Sequence, residues 1–144
     1  MFSAAKDGDH RLEIWRQFRH NSAGLTVEQV VEQFGTIPVL PRYLDFYTPE
    51  TWPTVFEIVQ DGLFCYSGIC LVTAATLWHL GLMNSAQLHF DVISNHVSGH
   101  TGLVLHHKGN CHNFLPGEIV SSRYATDNST RYDSHVIATD KLFS

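Results

Sequence analysis

Basic residues are scarce in this chain and occur nowhere as a run. Nine lysines and arginines stand against 14 acidic residues, and the formal net charge is −5 with histidine neutral. Nucleic-acid-binding proteins carry a basic patch or stripe that neutralises phosphates, and this sequence has none. We therefore expect no nucleic-acid partner.

Long apolar segments are missing as well. Thr73, Thr76 and His79 interrupt the apolar residues 69–83, whereas a membrane-spanning helix needs roughly 20 predominantly apolar residues. Residues 1–10 have no apolar core of the kind that a secretory signal carries. We expect no membrane partner and a cytoplasmic location.

Cysteine is rare, and its count is odd. The three cysteines are Cys65, Cys70 and Cys111, so they cannot all pair within one chain. Without a secretory signal, reduced thiols are the default expectation. The glycine-rich motifs that bind dinucleotides or phosphates are also absent, and no cofactor is expected.

Hydrophobic residues, in contrast, make up 44% of the 144 residues. That share is typical of globular proteins, and a chain of this length can bury a single core without disulfides. We therefore expect one domain over residues 1–144.

Helix signals fill the first half of the chain. Apolar periodicity and capping residues predict helices over residues 9–19, 27–34 and 53–60. Residues 65–80 predict a fourth helix, which is apolar nearly all round and is therefore expected to be buried. Gly81 is placed to end that helix.

Strand signals fill the second half. Five strand candidates follow one another, the last two of them weaker: residues 88–93, 101–107, 111–115, 119–124 and 135–139. The polar residues 126–133 are interpreted as a loop. The order predicts an α+β fold, in which N-terminal helices and a buried central helix pack on an antiparallel sheet.

Three side chains with complementary chemistry occur in the order that a cysteine nucleophile needs. Cys65 lies at a predicted helix start, where unpaired N–H groups and the helix dipole stabilise a thiolate. His100 opens a strand, and Asn113 lies in the strand predicted to pair with it. An imidazole can activate a thiol, and an amide can orient the imidazole. We expect the helix start to face the start of the His100 strand.

This pattern resembles the papain-like cysteine superfamily, above all its transglutaminase-like branch. The resemblance extends over residues 62–116 and rests on Gly68-Ile69-Cys70 with Ala74, on Leu80-Gly81, and on Gly99-His100. It implies a papain-like fold and cysteine-dependent acyl chemistry at a Cys, His and Asp or Asn site. The chain departs from the family in three respects, since no tryptophan follows His100, no Asp-Pro closes the third strand, and the spacing from His100 to Asn113 is slightly short.

Two thiols compete for the role of nucleophile. Cys70 matches the local Gly-x-Cys pattern of the family better, whereas Cys65 gives the helix a better length. Cys70 also falls one turn inside the predicted helix, where burial raises the pKa of a thiol. We favour Cys65 and retain Cys70 as the alternative.

Each of these residues also has a purely structural explanation. A cysteine in an apolar helix commonly fills a core, a histidine between glycines can belong to a turn, and Asn113 can cap the turn that follows it. A histidine-rich set surrounds these residues and consists of His96, His100, His106, His107, Cys111 and His112. We expect no metal site there, because adjacent residues of a strand point to opposite faces of the sheet and the sequence spacing of zinc ligands is absent.

The favoured function is cysteine-dependent acyl chemistry on an amide of a protein or peptide, by hydrolysis, deamidation or acyl transfer. Cys65 or Cys70 acts as nucleophile in this hypothesis, His100 as general base and acid, and Asn113 as the orienting group. The alternative is a non-catalytic binding or accessory protein. Residues 52–65 resemble small uncharacterised proteins of tailed bacteriophages, and that resemblance implies no activity. In this alternative the protein is phage-encoded and acts on a host component.

Overall fold

The computed structural model describes residues 1–144 as helices packed on a five-stranded antiparallel sheet, so the predicted α+β class is confirmed. The regular elements, in chain order, are α1 (Gly8–Asn21), α2 (Val27–Gly35), α3 (Val55–Asp61), α4 (Tyr66–His79), β1 (Gln87–Asn95), β2 (Thr101–His107), β3 (Asn110–His112), β4 (Ile119–Ser121), α5 (Ser122–Asp127) and β5 (Ser129–Ala138). Short 3₁₀ helices lie at Pro49–Thr51 and Thr139–Phe143. None of the helices combines the length and the apolar character that a membrane crossing requires.

Local capping chemistry sets the bounds of the helices before the site. The Thr26 side chain accepts a hydrogen bond from the Gln29 main chain, and the Gln29 side chain accepts one from the Thr26 main chain. Thr54 and Glu57 form the same reciprocal pair at the start of α3. Gly62 ends α3 in the left-handed conformation, with φ 71°, and directs the chain toward the start of α4.

Helix α4 is the centre of the fold. Eleven of its 14 residues are buried, as its apolar sequence predicted. It packs on α2 and α3 on one side and on β2 on the other. Trp15 of α1 donates its indole N–H to the Thr76 hydroxyl at 2.9 Å, which gives a buried polar group its partner.

The sheet has the strand order β4-β3-β2-β1-β5. One face carries Phe90, Val92, Leu103 and Leu105 into the large core that contains α4. The other face forms a smaller core beneath α5, made of Ile93, Val104, Cys111, Phe114 and Ala125. Each face therefore has its own packing partner.

The loop prediction for residues 126–133 was wrong. Ser121 ends β4 and caps α5 by accepting the main-chain N–H of Tyr124 at 3.1 Å. Strand β5 then begins at Ser129 and pairs with β1 along its whole length. The candidate over residues 135–139 covers the second half of this strand, and its first half was missed because it is an edge strand whose side chains are mostly polar and exposed, so it lacks an apolar alternation.

Candidate active site

Cys65 is the N-terminal cap of α4. Its backbone is extended, with φ −75° and ψ 167°, and its Sγ accepts the main-chain N–H of Gly68 at 3.3 Å. The side chain is partly exposed and forms no disulfide. The sulfur therefore lies where unpaired N–H groups and the positive end of the helix dipole favour a negative charge.

Cys70 occupies a very different place in the same helix. It is 2% exposed in the large core, and burial raises the pKa of its thiol well above the ordinary range. Burial likewise raises the pKa of Cys111 to about 12. Burial therefore disfavours the retained alternative, Cys70, as nucleophile. The Gly-x-Cys pattern contributes to helix packing here, since Gly68 lies against Ile58 of α3.

His100 lies immediately before β2 and is exposed. Its ring centroid is 4.3 Å from that of Tyr66, the residue after Cys65, and the two rings are tilted by 39°. Its main-chain carbonyl accepts the N–H of Asn95 at 2.8 Å, which fixes the backbone at the strand start. The imidazole itself makes no hydrogen bond within the chain.

The start of α4 faces the start of β2, as the sequence predicted. The Ser67 hydroxyl accepts the main-chain N–H of Leu103 at 3.1 Å. Gly102 permits this approach, because a Cβ at that position would lie only 2.9 Å from the Ser67 oxygen. A side chain at residue 102 would separate the helix from the strand and displace His100 from Tyr66.

Asn113 follows β3 and joins these two elements. Its side-chain N–H group donates to the main-chain carbonyls of Tyr66 and Leu103, each at 3.0 Å. The predicted hydrogen bond from Asn113 to the His100 ring is absent, because the amide nitrogen is held by two carbonyls on the opposite side. An aspartate here would place a carboxylate against both carbonyl oxygens, which explains why the chain carries the amide.

Two hollows open on either side of Tyr66. One, of about 40 Å³, is lined by Tyr66, His100, Asn113 and the first residues of β2. The other is an open groove of about 620 Å³ between Cys65 and residues 39–43. Cys65 therefore lies on a surface that an extended ligand can reach.

His112 is a buried group near the site that the sequence did not identify. It is 5% exposed, and its Nδ1 has no hydrogen-bond partner. Burial lowers its pKa from 6.5 to about 4, so the ring is neutral at pH 7. It lines a cavity of about 30 Å³ together with Cys70, Tyr66 and Asn113, which is room for a water molecule.

A second polar cluster, also missed, lies on the sheet face opposite α4. The carboxylate of Asp91 accepts His89 Nε2 at 2.8 Å, His106 Nε2 at 3.2 Å and the Ser134 hydroxyl. His106 Nδ1 in turn lies 2.8 Å from the Ser122 hydroxyl. We refer to these five residues as the Asp91 cluster. The signal that could have revealed this cluster is the register of the paired strands, in which His89 lies opposite His106 and Asp91 lies opposite Ser134.

Only the central carboxylate of the Asp91 cluster is buried, since Ser134 is exposed and the other members are partly exposed. Asp91 is 6% exposed, and burial lowers the pKa of His106 although the Asp91 charge opposes that shift. No group of three or more histidine, cysteine, aspartate or glutamate side chains has an arrangement that could hold a metal ion. The imidazole nitrogens that face Asp91 already have a hydrogen-bond partner.

Comparison with solved structures shows that the chain is similar to LapG of Legionella pneumophila. Calcium-bound LapG superposes with a TM-score of 0.67 over 96% of this chain and 83% of LapG, at 13% sequence identity. EGTA-treated LapG gives a TM-score of 0.66 over 92% and 76% of the two chains, at 14% identity. No family model matches the chain, and no curated protein matches it. The predicted transglutaminase-like fold is confirmed.

Proposed function

We propose that the protein carries out cysteine-dependent acyl chemistry on an amide bond of a protein or peptide. Cys65 is the nucleophile, and His100 is the general base and acid. The observation that supports this most strongly is the placement of a partly exposed thiol at the start of a buried helix, with the His100 ring tilted against the ring of the next residue, Tyr66. A thiolate is favoured at that position, and in this proposal the imidazole of His100 exchanges its proton.

The reaction proceeds in two steps. His100 takes the thiol proton, and the sulfur of Cys65 attacks the carbonyl carbon of the amide. The C–N bond then breaks, the amine leaves with the proton returned by His100, and a thioester remains on Cys65. Water attacks the thioester with His100 as base, which releases the acid and restores the thiol. An amine in place of water gives acyl transfer.

Two main-chain N–H groups are placed to stabilise the oxyanion. The N–H groups of Tyr66 and Ser67, in the first turn of α4, have no partner within the chain. Donors of this kind, fixed before the reaction, commonly contribute much of the rate enhancement in acyl transfer.

Asn113 has a positioning role in this proposal. By bonding to both Tyr66 and Leu103, it holds the helix start that carries Cys65 against the strand that carries His100. The likeness to LapG supports the proposal through the shared fold.

The acyl chemistry can be tested with p-nitrophenyl acetate, an activated ester that does not depend on the natural substrate. We expect a burst of about one equivalent of p-nitrophenolate and an acetyl group on Cys65 by mass spectrometry. The Cys65→Ala variant should show neither. In His100→Ala, release of the acetyl group should slow by about a hundredfold, because the general base is missing.

The Cys70→Ala variant is the matched control, and its burst should equal that of the wild type. Acetylation spread over lysines, without a burst and with the same turnover in Cys65→Ala, would contradict the proposal. The protein would then be a binding or accessory module that keeps the fold without the chemistry.

A further inference from the structure

The groove beside Cys65 has an unusually apolar outer wall. Val39, Leu40 and Tyr43 are 39%, 43% and 88% exposed, although the remainder of the site is largely polar. All three face the groove that ends at Cys65 and Tyr66. Exposed apolar side chains that cluster beside a reactive group commonly mark a binding surface.

The main chain of this wall is also incompletely bonded. Leu40 donates its N–H to the carbonyl of Phe64 at 2.9 Å, which ties the wall to the residue before Cys65. The main-chain N–H groups of Val39, Arg42 and Tyr43 have no partner within the chain. Unpaired donors next to exposed apolar side chains are the features that recognise an extended peptide.

Arg42 adds a further donor at the base of the groove. One of its guanidinium nitrogens, Nη2, lies 3.0 Å from a carboxylate oxygen of Asp61, whereas Nη1 is shielded from solvent and has no hydrogen-bond partner. A buried guanidinium N–H without an acceptor is costly. An extended peptide offers a carbonyl oxygen at each residue, which is the type of acceptor that this N–H lacks.

We infer that residues 39–43 form the substrate-binding wall of the site, and that the substrate is an extended peptide segment with apolar side chains next to the reacting carbonyl. This inference rests on the proposed function of Cys65. The apolar side chains pack on Val39, Leu40 and Tyr43, and the peptide main chain meets the unpaired donors. A lipid surface would use the apolar side chains but would not offer acceptors at the regular spacing of an extended main chain.

The test compares two chloromethyl ketone reagents that alkylate Cys65, one built on acetyl-Leu-Leu-Leu and the other on acetyl-Ser-Ser-Ser. Each rate is divided by the rate with iodoacetamide, which reports thiol reactivity alone. The leucine reagent should have a ratio about tenfold higher, since partial burial of a leucine side chain contributes over 1 kcal/mol. Leu40→Ser and Tyr43→Ser should each remove most of that preference.

Tyr132→Ser is the matched control, because Tyr132 is a similarly exposed tyrosine, 54% accessible, on the far edge strand β5. Its preference should equal that of the wild type. Equal ratios for the two reagents in the wild type, or an unchanged preference in both wall variants, would overturn the inference while leaving the reactivity of Cys65 intact.

A second measurement tests the wall even if the thiol is unreactive. Fluorescein-labelled peptides of leucine and of serine are titrated with the Cys65→Ala variant, and binding is followed by fluorescence anisotropy. The leucine peptide should bind at least about tenfold more tightly, and Tyr43→Ser in that background should weaken it. Equal affinities would contradict the inference, whereas absent alkylation with retained binding would contradict only the proposed function.

Discussion

Two polar clusters lie on opposite faces of the sheet, and they differ in how completely their hydrogen bonds are made. In the Asp91 cluster, one carboxylate accepts three donors and each imidazole has a partner. At the candidate active site, the His100 ring, the Tyr66 N–H and the Ser67 N–H have no partner within the chain. The Asp91 cluster looks more like a catalytic group by composition, yet the candidate active site is the one that leaves donors free for a ligand.

This difference in hydrogen bonding indicates that the Asp91 cluster serves stability and the candidate active site serves function. Buried polar groups are normally satisfied, and a satisfied cluster contributes to the specificity and stability of the fold. A site that acts on a substrate must keep donors and nucleophiles available for it. We therefore expect substitutions in the Asp91 cluster to change the free energy of unfolding, and substitutions at the candidate site to change reactivity.

The largest expected effect is in thiol reactivity. Cys65 should be alkylated by iodoacetamide about a thousandfold faster than Cys111 at pH 7 in the folded protein, because burial raises the pKa of Cys111 to about 12 from 9.0. Cys70 should be equally slow, because it is buried as well. Peptide mapping after timed labelling gives all three rates. Uniformly slow labelling of the three cysteines would contradict the proposal that Cys65 is an activated nucleophile.

Loss of the central carboxylate should have the next largest effect. Asp91→Ala leaves His89, His106 and Ser134 without their acceptor, so the free energy of unfolding should fall by about 3 kcal/mol. Urea denaturation measures this change. The alkylation rate of Cys65 in the folded variant should stay at its wild-type value.

His100→Ala is the matched substitution at the candidate site. His100 is exposed and has no hydrogen bond to lose from its ring, so the free energy of unfolding should change by less than about 0.5 kcal/mol. If Asp91→Ala left stability unchanged but slowed Cys65, the two clusters would be parts of one functional site.

The features that the sequence predicted well depend on short segments. The helices predicted over residues 27–34, 53–60 and 65–80 rest on local capping and apolar patterns, and α2, α3 and α4 lie at these places in the chain. The contact between the start of α4 and the His100 strand could be predicted from the order of these elements, because a buried helix must pack on the sheet that follows it.

The features that the sequence did not predict depend on register. Asp91 meets His106 and Ser134 only because β1 lies between β2 and β5, and the polar first half of β5, which contains Ser134, gave no sign of a strand. Asn113 turns away from His100 because its backbone is left-handed, with φ 72°. Neither property can be read from residue spacing along the chain.

Acid should destabilise the protein through His112. Burial lowers the pKa of His112 to about 4 from 6.5, so between these values the unfolded chain binds a proton that the folded protein does not. The free energy of unfolding should therefore lose up to about 3 kcal/mol as the pH falls from 6.5 to 4, and should not change for this reason above 6.5.

The test is urea denaturation across that range for the wild type and for His112→Leu. The variant should show a shallower loss of stability with acid, because it has no imidazole to protonate. Parallel curves for the two proteins would contradict the assignment of this pH dependence to His112.

The smallest expected effect concerns metal. Because the Nε2 atoms of His89 and His106 both face the carboxylate of Asp91, the purified protein should hold less than about a tenth of an equivalent of zinc. Chelation should leave the melting temperature unchanged. A full equivalent of zinc by elemental analysis, lost together with stability on chelation, would make the Asp91 cluster a metal site.

The central claim, that Cys65 and His100 act together, is tested most directly by the alkylation rate of Cys65 at pH 7 in three proteins. In His100→Ala, Cys65 should be alkylated at least about tenfold more slowly than in the wild type, because the imidazole that takes up the thiol proton is gone. His96→Ala, an exposed histidine that hydrogen-bonds to Thr130, should react within about twofold of the wild type. Equal rates in all three proteins would contradict the account.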